Sequence, residues 1–281
     1  MLRTRNPVHA LTAADRDDAL EVCARNLPAN VFVAARLLEG VLVAQPGTVL
    51  GHRLDGSLRS LCWSSANLVP VEADDSDLGF FAERVRRWRR QCASILGPDD
   101  QVTELWRHLS PAWGPARAIR PRQPLLSTQT LPSELGIELD PRVRPARADE
   151  VDLVLPAAAH MFEGEIGYPP YSGSGAAYRS ALLGLIERGH TFVAVEDGAV
   201  IFKADVGSVA LGCAQVQGVW LAPHLRGQGL SVPLMAAAVE QVMQTRARWV
   251  TLYVNDFNTS ARATYRHIGF EDVGTFSTVL L

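Results

Sequence analysis

Apolar and polar positions alternate along this chain in an order that can be read twice. In the first half, residues 12–26 (TAADRDDALEVCARN) predict a helix with Thr12 as N-cap, since a threonine oxygen can take one of the N–H groups a helix start leaves unpaired. LPANVFVAARLLEG predicts a second helix, with Pro28 in its first turn and Gly40 past its end. TVLGHRLDGSLRSLCW is a strand, an Asp-Gly turn and a strand, the strongest short-range hairpin signal. SANLVPV and CASILG read as strands, and SDLGFFAERVRRWRRQ and DDQVTELWRHL as helices. In the second half, VRPARADEVDLVLPAAAHMF predicts a strand and then a helix from near Asp149. TFVAVEDGAVIFKADVG is another hairpin around Asp197-Gly198, and GCAQVQGVWLAP a further strand. A helix to about Gln244, the strand WVTLYV and the helix TSARATYRHI follow, the last ended by Gly269 as C-cap, and FEDVGTFSTVLL closes the sheet. Between about Ser110 and Asp140 the prolines are frequent and periodicity is lost, which suits an extended connection or a crossing strand.

This pattern predicts an α/β protein of two tandem lobes, each a twisted mixed sheet flanked by helices, divided as residues 1–125 and 126–281. Composition narrows the partners. With 47% hydrophobic and 20% charged residues over 281 positions, the chain is that of a globular protein able to bury a large core. A net charge of -3 gives no bulk attraction for nucleic acid or an acidic membrane, and no apolar run approaches the ~20 residues of a membrane span. Cys23, Cys62, Cys92 and Cys213 lie far apart in apolar stretches, which points to buried free thiols in a reducing cytoplasm and away from a metal knuckle or redox dithiol. Lys203 is the sole lysine among 27 basic residues.

Candidate chemistry begins at HLRGQGLS, His224 to Ser231, between a strand and a helix. A glycine turn feeding a helix N-terminus presents unpaired backbone N–H groups backed by the positive end of the helix dipole, an arrangement suited to a diphosphate. Gly227 and Gly229 let the chain bend tightly, Arg226 adds charge, and Pro233 is tolerated in a first helical turn. A P-loop is excluded by spacing and the missing lysine, and a dinucleotide fingerprint by Val232 where its third glycine belongs.

The segment resembles the acyl-CoA loop of the GNAT superfamily of N-acyltransferases, [QR]xxGx[GA] after a strand ending in Val-x-Pro. Arg226, Gly229 and Ser231 fill the motif, with Leu221-Ala222-Pro223 for Val-x-Pro and serine in place of the last glycine or alanine. Downstream, Asn258, Ala261, Tyr265, Gly269 and Phe270 match the superfamily's N-x-x-A-x-x-x-Y-x-x-x-G-F, one helix and one strand later. The resemblance covers about residues 142–281, and a divergent lobe ahead of such a domain looks like an actinobacterial type of acetyltransferase. It implies acetyl-CoA as acyl donor and no metal but does not supply the acceptor; the expected reaction is direct attack of a primary amine on the thioester in a ternary complex. It assigns Arg226, Gly227, Gln228, Gly229, Leu230 and Ser231 to the CoA pyrophosphate, and the backbone of Val219, Trp220 and Leu221 to the pantetheine arm and the thioester carbonyl. Asn258 is read either as N-cap of the last helix or as a neighbour of the CoA, and Tyr265 as the acid that protonates the departing thiolate.

The general base is less plainly marked. Family members carry a glutamate about six residues ahead of the Val-x-Pro valine, where this chain has Gln215, with Gln217 next on the same strand face. Either glutamine could order a water. Glu163 and Glu165, in the segment MFEGEIGYPPY after the first helix of this lobe, are the candidate carboxylates, with Tyr168 and Tyr171 in the same loop; His160, His190 and His224 receive no role. Five arginines surround Trp88 in ERVRRWRRQ, which predicts a solvated basic helix with Val85 and Trp88 inward. Two other classes fit parts of the pattern. The missing strand glutamate suits a non-catalytic acyl-CoA sensor, and the tandem lobes with a basic helix suit an aminoacyl transferase using charged tRNA, although the intact RGQG loop argues against the latter.

Overall fold

In the computed structural model, which describes residues 7–87 and 92–281, both Asp-Gly dipeptides close hairpins. β2 (Val49–Leu54) and β3 (Ser57–Ser64) meet at Asp55-Gly56, with φ 50° and 84°; β8 (Thr191–Glu196) and β9 (Ala199–Ala210) meet at Asp197-Gly198, with φ 48° and 75°. Two successive positive φ values are the type I′ geometry whose twist matches the flanking strands.

The chain forms two units. The first takes in the chain through Leu125 together with residues 253–257 and 272–281, and the second Leu126–Leu252 with Asn258–Glu271. In the first unit, β1 (Val8–Ala10), β2, β3, β4 (Asn67–Val71), β5 (Ser94–Pro98), β12 (Glu271–Leu280) and β6 (Ala118–Thr128) lie in that spatial order. Helices α1 (Arg16–Ala24), α2 (Leu27–Leu38), α3 (Val41–Ala44), α4 (Asp75–Val85) and α5 (Asp99–Trp113) complete it. Leu50, Leu68, Phe81, Ile95, Leu105 and Val279 are in its core. Thr12 caps a short 3-10 turn before α1, its N–H and hydroxyl both donating to Asp15.

The closing strand departs from expectation. Instead of finishing the sheet of the second half, β12 pairs antiparallel with β5 of the first unit, from Phe276↔Pro98 to Leu280↔Ser94. β5 runs parallel to β4 on one side and offers its other edge, and β12 carries Phe276 and Val279 to bury there. The proline-rich connection is the crossing strand β6, and α5 continues over Pro111 to Trp113.

The second unit has residues 126–128 of β6, then β11 (Trp249–Tyr253, to Leu252 in this unit), β10 (Cys213–Leu221), β9, β8 and β7 (Arg144–Pro145). Its helices are α6 (Val151–Ile166), α7 (Ala176–Glu187), α8 (Ser231–Thr245) and α9 (Thr259–His267). α7 is absent from the sequence reading, because its short apolar stripe lies in a glycine-rich neighbourhood; Leu182 and Ile186, one turn apart, anchor it. α6 is longer than expected. It runs past Gly164 and stops only at Gly167 (φ 89°), so Glu163 and Glu165 sit in its last turn and not in a loop. In the basic run, Val85 is buried as expected, while Trp88, Arg89, Arg90 and Gln91 lie outside the described residues. All four cysteines are free and buried. No described helix is long and apolar enough to cross a membrane.

Candidate active site

β10 is the strand on which the site is built. Its parallel ladder with β11 runs Cys213↔Trp249, Ala214↔Val250, Gln215↔Thr251, and among the described residues goes no further, although β10 continues for six residues to Leu221. On its other side β10 stays paired with β9 through two compensating irregularities. β9 holds an extra residue, Gly207, between the pairs Gln215↔Ser208 and Val216↔Val206. β10 holds an extra one between Gln217↔Asp205 and Trp220↔Lys203, where Gly218 has φ 59°. Such a bulge leaves a residue out of the ladder and re-aims its backbone. Among the described residues the β11-facing edge of Val219, Trp220 and Leu221 has no ladder partner, an arrangement to which an extended ligand can add itself as a strand.

The glycine loop follows at once. A 3-10 turn (Pro223–Leu225) and Arg226 lead into Gly227 (φ 76°) and Gly229 (φ 81°), values that side chains with a Cβ rarely adopt. A Cβ built at either glycine meets nothing within 4 Å, so the space before the loop is open. α8 begins at Ser231 with no side chain capping it, and Pro233 contributes no N–H, leaving its first backbone donors for a ligand. Gln228 Nε2 donates to the His224 carbonyl (2.8 Å), and Arg226 Nε to the Leu221 carbonyl (3.1 Å), so the arginine folds back on the strand end. The Ser231 hydroxyl lies 3.0 Å from that of Thr264, which ties the start of α8 to α9.

α9 presents the downstream motif. Asn258 Oδ1 accepts from the Ala261 N–H (3.3 Å), the helix-capping alternative realised. Tyr265 is 7% exposed, its ring 6.0 Å from that of Phe270. Burial, seconded by the negative charge of Glu165, pushes its phenol well above the ordinary range, so the group holds its proton. Two residues singled out from sequence are thus within electrostatic reach of each other.

The geometry of α6 separates the two glutamates. Val154, Ala158, Met161 and Glu165 recur at helical spacing, and the Met161 Cε sits 3.2 Å from where a Gly218 Cβ would be. Glu165 continues that stripe toward the bulge, whereas Glu163, two residues earlier, is turned by about 160° to the outer face. Gln215 is buried at 7% exposure, and Gln217 lies over Gly207, its amide filling the place a Cβ there would take. Phe162, Tyr168, Tyr171 and Tyr178 form a chain of ring contacts of 5.6–6.2 Å beside this turn.

Sequence reasoning passed over two features. His160, given no role, stacks on Trp220 of β10 (centroids 6.3 Å, planes 23° apart). Lys203, with no side-chain exposure, forms an ion pair with buried Asp205 and donates to the Gly218 carbonyl (3.4 Å), while Thr191 Oγ1 donates to the other Asp205 oxygen (2.9 Å). The signal was present: two charges one residue apart in the apolar strand AVIFKADV, both pointing to one face. Among the described residues no group of three or more His, Cys, Asp or Glu could hold a metal ion.

Splayed strand, bulge, glycine loop and open helix start define a protein of acyltransferase fold in the second unit. Residues 160–270 match the acetyltransferase (GNAT) family, so the chain carries a GNAT domain there. Residues 47–154 match a domain of unknown function (DUF4081). Solved structures extend the likeness to both lobes. A tandem GNAT protein from the clavulanic acid biosynthesis pathway is 15% identical, covering 97% of this chain and 98% of its own, with TM-score 0.58. GCN5-related N-acetyltransferases from Kribbella flavida (18% identity, 93% and 95% covered, TM-score 0.55) and Sphaerobacter thermophilus (15%, 97% and 95%, 0.57) share the fold. No curated protein matches the chain. The fold is that of two tandem GNAT-like lobes.

Proposed function

We propose that the second unit transfers an acyl group, acetyl in the first instance, from CoA to a primary amine. The observation that carries this reading is the conjunction of a strand edge left open beyond Gln215 with an uncapped, glycine-led helix start immediately after it. The first suits a pantetheine arm and the second a diphosphate. The first backbone donors of α8 with Arg226, Gly227, Gln228 and Gly229 hold the diphosphate, Leu230 and Ser231 begin the helix behind it, and Asn258 flanks the CoA while capping α9. The amine nitrogen attacks the thioester carbonyl, the C–S bond breaks, and the thiolate takes the phenol proton of Tyr265. The amine gives up its own proton to Glu165, directly or through a water ordered by Gln215 or Gln217. Glu163, on the outer face of α6, is the weaker of the two carboxylate candidates. Proximity of amine and thioester in one complex supplies a large part of the rate.

The first unit, residues 1–125 in the main, acts as a scaffold without a CoA loop. Where the second has glycines before its helix, the first has Glu72, Asp74, Asp75 and Asp77 around the start of α4, and Asp74 already caps that helix through the Ser76 and Asp77 N–H groups. Calorimetric titration of the whole chain with acetyl-CoA tests the reading: one equivalent is expected, and none refutes it. A sensor without catalysis is the alternative that Gln215, in place of a strand glutamate, favours; it binds acetyl-CoA and releases no thiol with any amine.

A further inference from the structure

The single lysine of the chain is fully buried, and nothing in the reaction outlined above uses it. Withdrawing an ammonium and a carboxylate from water is costly, and the attraction between them seldom repays the loss. The pair also sits at a particular place. Lys203 and Asp205 flank the β9 residue opposite the β10 bulge, and a Gly218 Cβ would lie 2.9 Å from Asp205 Oδ2 and 3.3 Å from Lys203 Nζ. Gly218 is thus pressed against the ion pair, in a left-handed conformation, with its carbonyl taken by Lys203 at 3.4 Å.

One property of the peptide bond makes that contact consequential. In a trans peptide the carbonyl and the following N–H point in opposite directions. Holding the Gly218 oxygen on the lysine side therefore turns the Val219 N–H to the opposite side of that peptide, in the stretch of β10 beyond its ladder with β11. Asp205 in turn is fixed by Thr191 at 2.9 Å and keeps the ammonium in place.

We infer that Lys203, anchored by Asp205, is a positioning residue that locks the Gly218–Val219 peptide so that the Val219 N–H is aimed at the acyl carbonyl of bound acyl-CoA. This rests on the acyl-transfer reading and deepens it: the bulge is a hydrogen-bond donor preset by a buried charge and not by the ladder. A donor fixed before the reaction stabilises developing oxyanion charge without reorganising, which is where such donors gain their effect.

The test uses the full chain, acetyl-CoA carrying heavy carbon at the thioester carbonyl, and difference infrared spectroscopy. In the wild type the carbonyl band of bound acetyl-CoA is expected below its position in buffer, as a hydrogen-bonded carbonyl requires. In Lys203→Met the shift should be lost, while calorimetric affinity changes by no more than about threefold, since most binding contacts lie along the diphosphate and pantetheine. The double variant Lys203→Met/Asp205→Leu removes both charges together, leaves no unpaired buried carboxylate, and should show the same loss with the fold intact. A band shift retained in these variants overturns the inference. Loss of affinity in parallel with the shift also overturns it, since aiming one N–H does not govern binding. A wild type that binds no acetyl-CoA overturns the acyl-transfer reading itself.

Discussion

Replacing Gly229 by glutamate places a carboxylate at the loop proposed to hold a diphosphate, and two separate costs can be worked from the geometry. The first is conformational. At φ 81° a residue with a Cβ pays the left-handed penalty, about 1–2 kcal/mol, and since that Cβ would meet nothing within 4 Å there is no steric addition. Gly229→Ala isolates this cost: thermal stability falls modestly and the loop survives. The second is electrostatic. A charge about 5 Å from one diphosphate charge, at an effective dielectric of about 20, is repelled by roughly 3 kcal/mol, a loss on the order of 10²-fold in affinity. Titration calorimetry with CoA should therefore show Gly229→Ala close to wild type and Gly229→Glu far weaker. The gap should narrow as salt rises, because the Debye length shrinks to ~3 Å at 1 M. Equal affinity in wild type and Gly229→Glu would falsify the placement of the diphosphate.

Tyr265→Phe should leave acetyl-CoA affinity nearly unchanged and lower turnover on the order of 10²-fold, as for other lost acid catalysts; weakened CoA binding would show a packing role instead. Acetyl-CoA should titrate to one equivalent per chain, because Asp74, Asp75 and Asp77 at the start of α4 repel a diphosphate in the first unit; two equivalents would show that unit to be a second site. Burial pushes the Cys23 and Cys213 thiols up to about 12 and that of Cys92 to about 11, so an aromatic disulfide reagent at pH 8 should find no fast-reacting thiol until the chain is unfolded. The hydrogen bonds from the Arg144 guanidinium, ahead of the Arg147 N–H, hold the Glu150 carboxyl near 2 against its usual 4.5. The folded value is depressed, so this stabilisation is complete above pH 4.5 and lost as the pH falls toward 2. Melting temperatures of Glu150→Gln should accordingly fall less steeply across that window than those of wild type.

Local signals carried a large part of this structure. Asp-Gly hairpins, Pro28 and Gly40 around α2, and the strand-loop-helix at Arg226 to Ser231 are each decided by backbone chemistry within a few residues, and alternation or helical spacing displays them directly. What escaped depends on distant partners. Nothing in FEDVGTFSTVLL says that its strand pairs with β5 of the first unit, because both available edges would accept the same alternation. α7 is stabilised by burying Leu182 and Ile186 more than by its own caps, with Gly175 at its N-cap in place of a side-chain acceptor. At the site, spacing alone could not distinguish Glu163 from Glu165, but a helix carried through to Ile166 places them on opposite faces. The partner of Lys203 and Asp205 is equally distant in sequence, since it is the β10 bulge that sets a backbone carbonyl beside them. His160 gains a partner only when α6 packs on β10 and brings it over Trp220.

The central claim is that this chain moves an acyl group and does not merely bind its carrier. Free-thiol release from acetyl-CoA, followed with a chromogenic disulfide across a panel of primary amines, addresses it directly. The account predicts release that depends on both chain and amine, matched mole for mole by N-acetylated product in mass spectrometry and abolished by Gly229→Glu. Acetyl-CoA bound at one equivalent with no thiol released above the uncatalysed rate for any amine would contradict it, and would leave the second unit a sensor of acyl-CoA.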